Sequence, residues 1–241
     1  MKKRLKLIVG VFISVMLLVG CTKTRASFAN IHRGTFSVND DYDAYAMITE
    51  KEIYRVSEIM CYWMLDYTGY LGEYEKYPVV ALVHVDTISG GRVYRHSDDD
   101  YGYPHTYGVL TVLEIYKGNN VITKGEHYSY IRFGGIVTRE ELNSDPRHDN
   151  YSGKTKYIEL MYNDDVRIEV GKDYVVFIGR NYENIYSNGE ELYIDGLELG
   201  LREVTRTDSG LKILNNHSKE WENLAEVIPL NSREMNWFFG V

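Results

Sequence analysis

Short runs in which every second residue is apolar set the tightest limit on how this chain folds. Val79, Ala81, Val83 and Val85 alternate with other residues over Pro78–Asp86, and Val109, Thr111, Leu113 and Ile115 do the same over Tyr107–Lys117. A period of two places those side chains on one face of a pleated strand. Further alternating runs cover Glu126–Phe133, Tyr157–Tyr162 and Asp173–Ile178, and Lys117-Gly118-Asn119-Asn120, Gly134-Gly135, Gly171 and Gly179 punctuate them as turns. The 22 tyrosines against seven phenylalanines agree with this pattern, because tyrosine suits a half-wet pleated surface. The expected class is mainly β with α, around five strands.

One stretch departs from period two. Ile53, Val56, Met60, Trp63 and Tyr67 recur at spacings of three and four, which predicts an amphipathic helix from about Thr49 to Tyr67, with Gly69 at its stop. Cys61 lies inside it and reads as a small core hydrophobe. After the five strands, Ser187-Asn188-Gly189 marks a hairpin between Ile185-Tyr186 and Leu192–Ile194. Short strands are expected at Leu199–Val204 and Leu211–Leu214, and a short helix within 218–228. No repeat or linker interrupts residues 42–241, which read as a single globular domain with a barrel core at about 78–179.

The N-terminus has a different character. Lys2, Lys3, Arg4 and Lys6 precede a 14-residue apolar run, Leu7–Gly20, broken only by Ser14 and two glycines. At 1.5 Å per residue that run falls short of a ~30 Å hydrocarbon core, and its layout is that of a secretory leader. Leu18-Val19-Gly20-Cys21 resembles the lipobox of bacterial lipoproteins. The resemblance implies cleavage before Cys21, a diacylglyceryl group on its sulfur, and a lipid-anchored protein on the extracytoplasmic face of the cell membrane. Residues 1–20 are then a signal peptide, and 21–41 are polar, aperiodic and read as a tether. Twenty such residues give an end-to-end distance of roughly 25 Å, enough to clear the headgroups. Removing the four positive charges of the leader from the chain's net −8 leaves a mature body at −12. An acidic body of that size repels phosphate polymers, which argues against nucleic acid as a partner.

The runs VVALVHVDTIS, GVLTVLEIYKGN, GEHYSYIRFGGIVTREEL and EVGKDYVVFI, between Pro78 and Gly179, resemble a group of uncharacterised lipoproteins of Gram-positive bacteria. The resemblance implies a small OB-like barrel of about five strands, preceded here by one helix and followed by C-terminal hairpins. Its architecture is like that of metalloproteinase-inhibitor domains. An inhibitor role would need a free N-terminal cysteine, and an acylated Cys21 is unavailable for it. The resemblance supplies no activity.

Candidate chemistry is sparse. The polar stretch Ser89–Thr106 reads as a long loop carrying His96, Asp98, Asp99, Asp100 and His105. Its three consecutive aspartates do not alternate as a Ca²⁺ loop requires. His84 and Asp86 share a strand face and form a candidate pair of metal ligands, without a third at recognisable spacing. His127 and His148-Asp149 are isolated. Nucleophile, zinc-protease and phosphate-loop motifs are absent from the sequence, and no cofactor is implied. Thr138-Arg139-Glu140-Glu141 reads as a helix start. Tyr94, Tyr101, Tyr103 and Tyr107 surround the polar stretch, and rigid amphipathic rings make efficient recognition surfaces. The leading expectation is therefore a non-enzymatic binding module whose partners are membrane lipid, through acylated Cys21, and an unknown protein or small ligand. The alternative is a metal-dependent envelope hydrolase with its site among His84, Asp86, His96 and Asp98–Asp100.

Overall fold

The computed structural model describes residues 42–58, 77–94, 102–144, 151–162, 165–179, 191–194, 200–208, 210–216 and 218–228. Cys21, Cys61, His96, Asp98, Asp99, Asp100, Tyr101, His148, Asp149, the Ser187-Asn188-Gly189 turn and the 59–67 half of the expected helix lie outside them.

The described chain is mainly β. Its strands are β1 (Ile53–Glu58), β2 (Val79–Tyr94), β3 (Tyr103–Lys117), β4 (His127–Phe133), β5 (Gly135–Thr138), β6 (Tyr157–Tyr162), β7 (Asp173–Ile178), β8 (Leu192–Ile194), β9 (Leu201–Thr207), β10 (Gly210–Leu214) and β11 (Trp221–Asn223). Two short helices, α1 (Arg139–Asn143) and α2 (Leu224–Val227), complete it. Eight strands form one sheet in the order β11-β10-β9-β7-β2-β3-β4-β8. Strand β8 runs parallel to β4 and meets β7 again through Ile178 and Ile194. The pairings β7–β2–β3–β4–β8 thus return to β7, and five strands make a cycle.

Both faces of β2 are buried over Val79–Val83. Val79, Ala81 and Val83 alternate with Val80 and Leu82. The latter pair joins Tyr77, Tyr116, Val175, Phe177, Ile213 and the helix residues Leu224 and Val227 in a core between the cycle and the C-terminal hairpins. A strand covered on both sides loses the polar alternation of a half-wet one.

A separate three-stranded sheet, β1-β6-β5, holds the segment 157–162 that the sequence assigns to the barrel. Its β6 pairs in parallel with β1 and antiparallel with β5, so the fifth strand of the cycle is the three-residue β8 instead. The expected helix at Thr49–Tyr67 is corrected over its described part. Glu52 accepts from both the backbone and the hydroxyl of Thr49, as at a helix start, but the helical turn ends after Glu52 and Ile53–Glu58 is β1. Parallel pairing with β6 and an ion pair from Arg55 to the buried Glu159 override the local periodicity. Residues 218–228, expected helical, divide into β11 and α2. Thr138 does cap α1, its hydroxyl accepting from the Glu141 N–H.

The stretch read as a loop, Ser89–Thr106, is corrected as well. Strand β2 continues to Tyr94 and β3 begins at Tyr103, paired through Arg92 opposite His105 and Tyr94 opposite Tyr103. The bulges near Asp86 and Ser89 bend this long hairpin. Gly91 and Gly108 let it pass against neighbouring backbone: a Cβ at either would lie 2.1 Å from the Ile136 oxygen or 2.0 Å from the Thr87 oxygen.

Candidate functional site

A wall formed by β2, β3 and β4 carries the described candidates. Tyr103, His105, Tyr107, Val109 and Thr111 share one face of β3, and the paired residues His127, Ser129, Ile131 and Phe133 continue that face on β4. At one end it is polar and at the other aromatic.

At the polar end four strands place Asp173, His84, Thr111 and His127 side by side in register. The Nδ1 of His84 lies 2.7 Å from Asp173. Thr111 donates its hydroxyl to Asp86 at 2.7 Å and lies 2.8 Å from Nδ1 of His127, which is itself 3.2 Å from the same carboxylate. Each imidazole is oriented by a carboxylate at Nδ1, leaving Nε2 on the outward side. Such pairs resemble half of a catalytic triad, but the hydroxyl here contacts Nδ1, whereas an activated nucleophile must sit at the opposite nitrogen. His84 and Asp86, the pair singled out in the sequence, are each engaged by a different neighbour: His84 by Asp173, and Asp86 by Thr111 and His127. Among the described residues no group of three or more His, Cys, Asp or Glu side chains is arranged to hold a metal.

At the aromatic end His105 is fully buried beneath the hairpin. Its Nδ1–H donates to the Tyr103 carbonyl at 2.8 Å, which fixes the neutral tautomer. The rings of Tyr94 and Phe133 meet it edge-on at 5.3 and 5.1 Å, and Tyr193 of β8 lies 6.2 Å away. Tyr103 packs on Phe133 at 5.4 Å. The Arg92 guanidinium sits 4.3 Å above the Tyr107 ring. Burial pulls the His105 pKa down to about 4, against the opposing hydrogen bond to Tyr103. Burial, with Glu191 adding to it, pushes the Tyr94 phenol up. Three of the four tyrosines singled out in the sequence therefore share one wall, and all three are half-buried.

Sequence reasoning missed His105, Phe133 and Tyr193 as parts of this wall, and it missed Tyr45. Residues 42–48 strap the chain onto β2: Ile88 donates to the Tyr42 carbonyl, and Ala44 donates to the Ile88 carbonyl. Tyr45 then enters between β3 and β5, where its oxygen accepts from the Ile136 N–H and bonds the Thr106 hydroxyl. Burial pushes that phenol up to about 12. Only its position just after the tether sets Tyr45 apart in the sequence.

No family model matches the chain, and no match was found among curated proteins or solved structures. Among the described residues no helix is long and apolar enough to cross a membrane.

Proposed function

We propose that this chain is an acyl-anchored extracytoplasmic lipoprotein whose domain is a binding module, with the aromatic wall of the β2–β3 hairpin as its recognition surface. Cys21 carries the anchor, and the strap at Tyr42–Tyr45 joins the tether to the body. The five-strand cycle is read as an OB-type barrel: its third and fifth strands pair in parallel, and its fourth closes antiparallel on its first. In that reading the wall lies on the second and third strands of the barrel.

The observation that carries the binding reading is the grouping of Arg92, Tyr94, Tyr103, Tyr107, Phe133 and Tyr193 on one half-exposed face around a buried imidazole. Rings held edge-on to one another keep few rotamers, so a ligand would order them at small entropic cost. A cation resting on a ring adds a polar handle at the rim.

The test is photo-crosslinking in intact cells, with a photoreactive amino acid at Tyr103 and, as a control, at Asp208 in the β9–β10 turn. The reading predicts a discrete adduct from the first site alone, reduced about fivefold by Arg92→Ala. The same adducts from both sites would end it.

A further inference from the structure

Four large hydrophobic side chains are conspicuously exposed among the described residues: Met47 at 87%, Tyr42 at 58%, Tyr54 at 49% and Trp221 at 42%. Three of them fall within thirteen residues, in the first stretch of the body after the tether. The Thr49–Glu52 turn links Met47 to Tyr54. The 154–156 loop lies beside that turn, since Lys156 faces Glu52 electrostatically and β6 starts opposite Ile53. Lys51, Lys154 and Lys156 are exposed there. The acidic residues of the turn are engaged within the protein: Glu50 with Arg55 at 2.5 Å, Glu52 with Thr49.

We infer that this end of the domain, Tyr42, Met47 and Tyr54 with Lys51, Lys154 and Lys156, lies against the anionic headgroups of the bilayer to which Cys21 is anchored. The inference rests on the anchor reading and adds an orientation to it. Exposed aromatic and thioether side chains beside lysines are the composition of an interfacial contact. The tether ends where the body begins at Tyr42, so this end sits at a typical distance of roughly 25 Å from the bilayer, and at that effective concentration a weak contact is populated. A body of net charge −12 is repelled by anionic lipid as a whole, which turns its acidic surfaces outward and its lysine-bearing end inward. The recognition wall then has a fixed presentation instead of a swivelling one.

The experiment uses the acylated full-length mature protein in vesicles of phosphatidylcholine and phosphatidylglycerol in equal parts. A dansyl amino acid is installed at Met47 or at Asp208, and quenching by lipids carrying a nitroxide near the headgroup is read. Quenching at Met47 at least roughly twofold above that at Asp208, falling with Lys51→Glu and Lys154→Glu together, is the expected result. Equal quenching at both sites overturns the docking while co-sedimentation with vesicles, lost in Cys21→Ser, leaves the anchor standing. Wild-type protein that does not co-sediment overturns the anchor, and this inference with it.

Discussion

Replacing His105 by phenylalanine should remove most of one acid-sensitive component of stability. The folded chain holds this imidazole neutral, with a pKa of about 4 against 6.5 in the open chain. Between those values the unfolded state binds a proton that the folded state refuses, so stability falls as pH drops from about 6.5 towards 4. Above that window the contribution is fully present, and below it the loss is complete. The difference corresponds to about 3 kcal/mol, a large share of the 5–15 kcal/mol typical of a domain. Phenylalanine keeps the ring among Tyr94, Phe133 and Tyr193 but does not titrate. It also gives up the bond to the Tyr103 carbonyl, a cost of about 1 kcal/mol that does not vary with pH. Urea unfolding of both proteins between pH 4 and 7 isolates the effect, because other titrating groups cancel in the difference. The wild type should start ahead at pH 7 and lose that lead, then fall behind, by pH 4. Parallel pH profiles would show that the imidazole is not kept neutral by burial, and the packing described for the wall would be wrong.

Three substitutions probe what holds the second sheet and the hairpin. Glu159 is buried and receives Arg55 at 2.9 Å and Arg167 at 2.6 Å. Glu159→Gln should cost about 2–3 kcal/mol in chemical denaturation, the low end for a buried partner because both arginines reach solvent, whereas Arg55→Met should cost under about 1 kcal/mol. Equal losses would show that the carboxylate is not the centre of the network. Gly91→Ala should destabilise by about 2 kcal/mol or more, since its Cβ meets the Ile136 carbonyl. A neutral outcome there would mean that the hairpin does not press on β5.

The β character was legible because alternation is local, and the boundaries of β4, β6 and β7 and the end of β3 follow it closely, although β3 starts four residues earlier than expected. What each strand pairs with was not. Segment 157–162 alternates as well as any barrel strand, yet its partners, β1 and β5, are set by the buried Glu159 network and by Gly135–Thr138, neither of which leaves a local signal. Residues 53–58 carry Ile53 and Val56 at a helical spacing, and tertiary pairing with β6 overrode it. Ser89–Thr106 read as loop because glycines and charges dominate it. Gly91 is there because the Ile136 carbonyl passes within reach of its missing side chain, and Arg92 lies on an arm of the hairpin, opposite His105. Tyr94, Tyr103 and Tyr107 were found by composition alone. Their companions Phe133 and Tyr193 come from strands distant in sequence, and His105 was set among candidate metal ligands when it is a buried neutral ring.

Mass spectrometry of the N-terminal peptide of protein extracted from its native membrane bears most directly on the lipid-anchored reading. The account predicts a chain starting at Cys21 with a diacylglyceryl thioether on that residue. A free thiol at Cys21, or a chain still carrying residues 1–20, would contradict it.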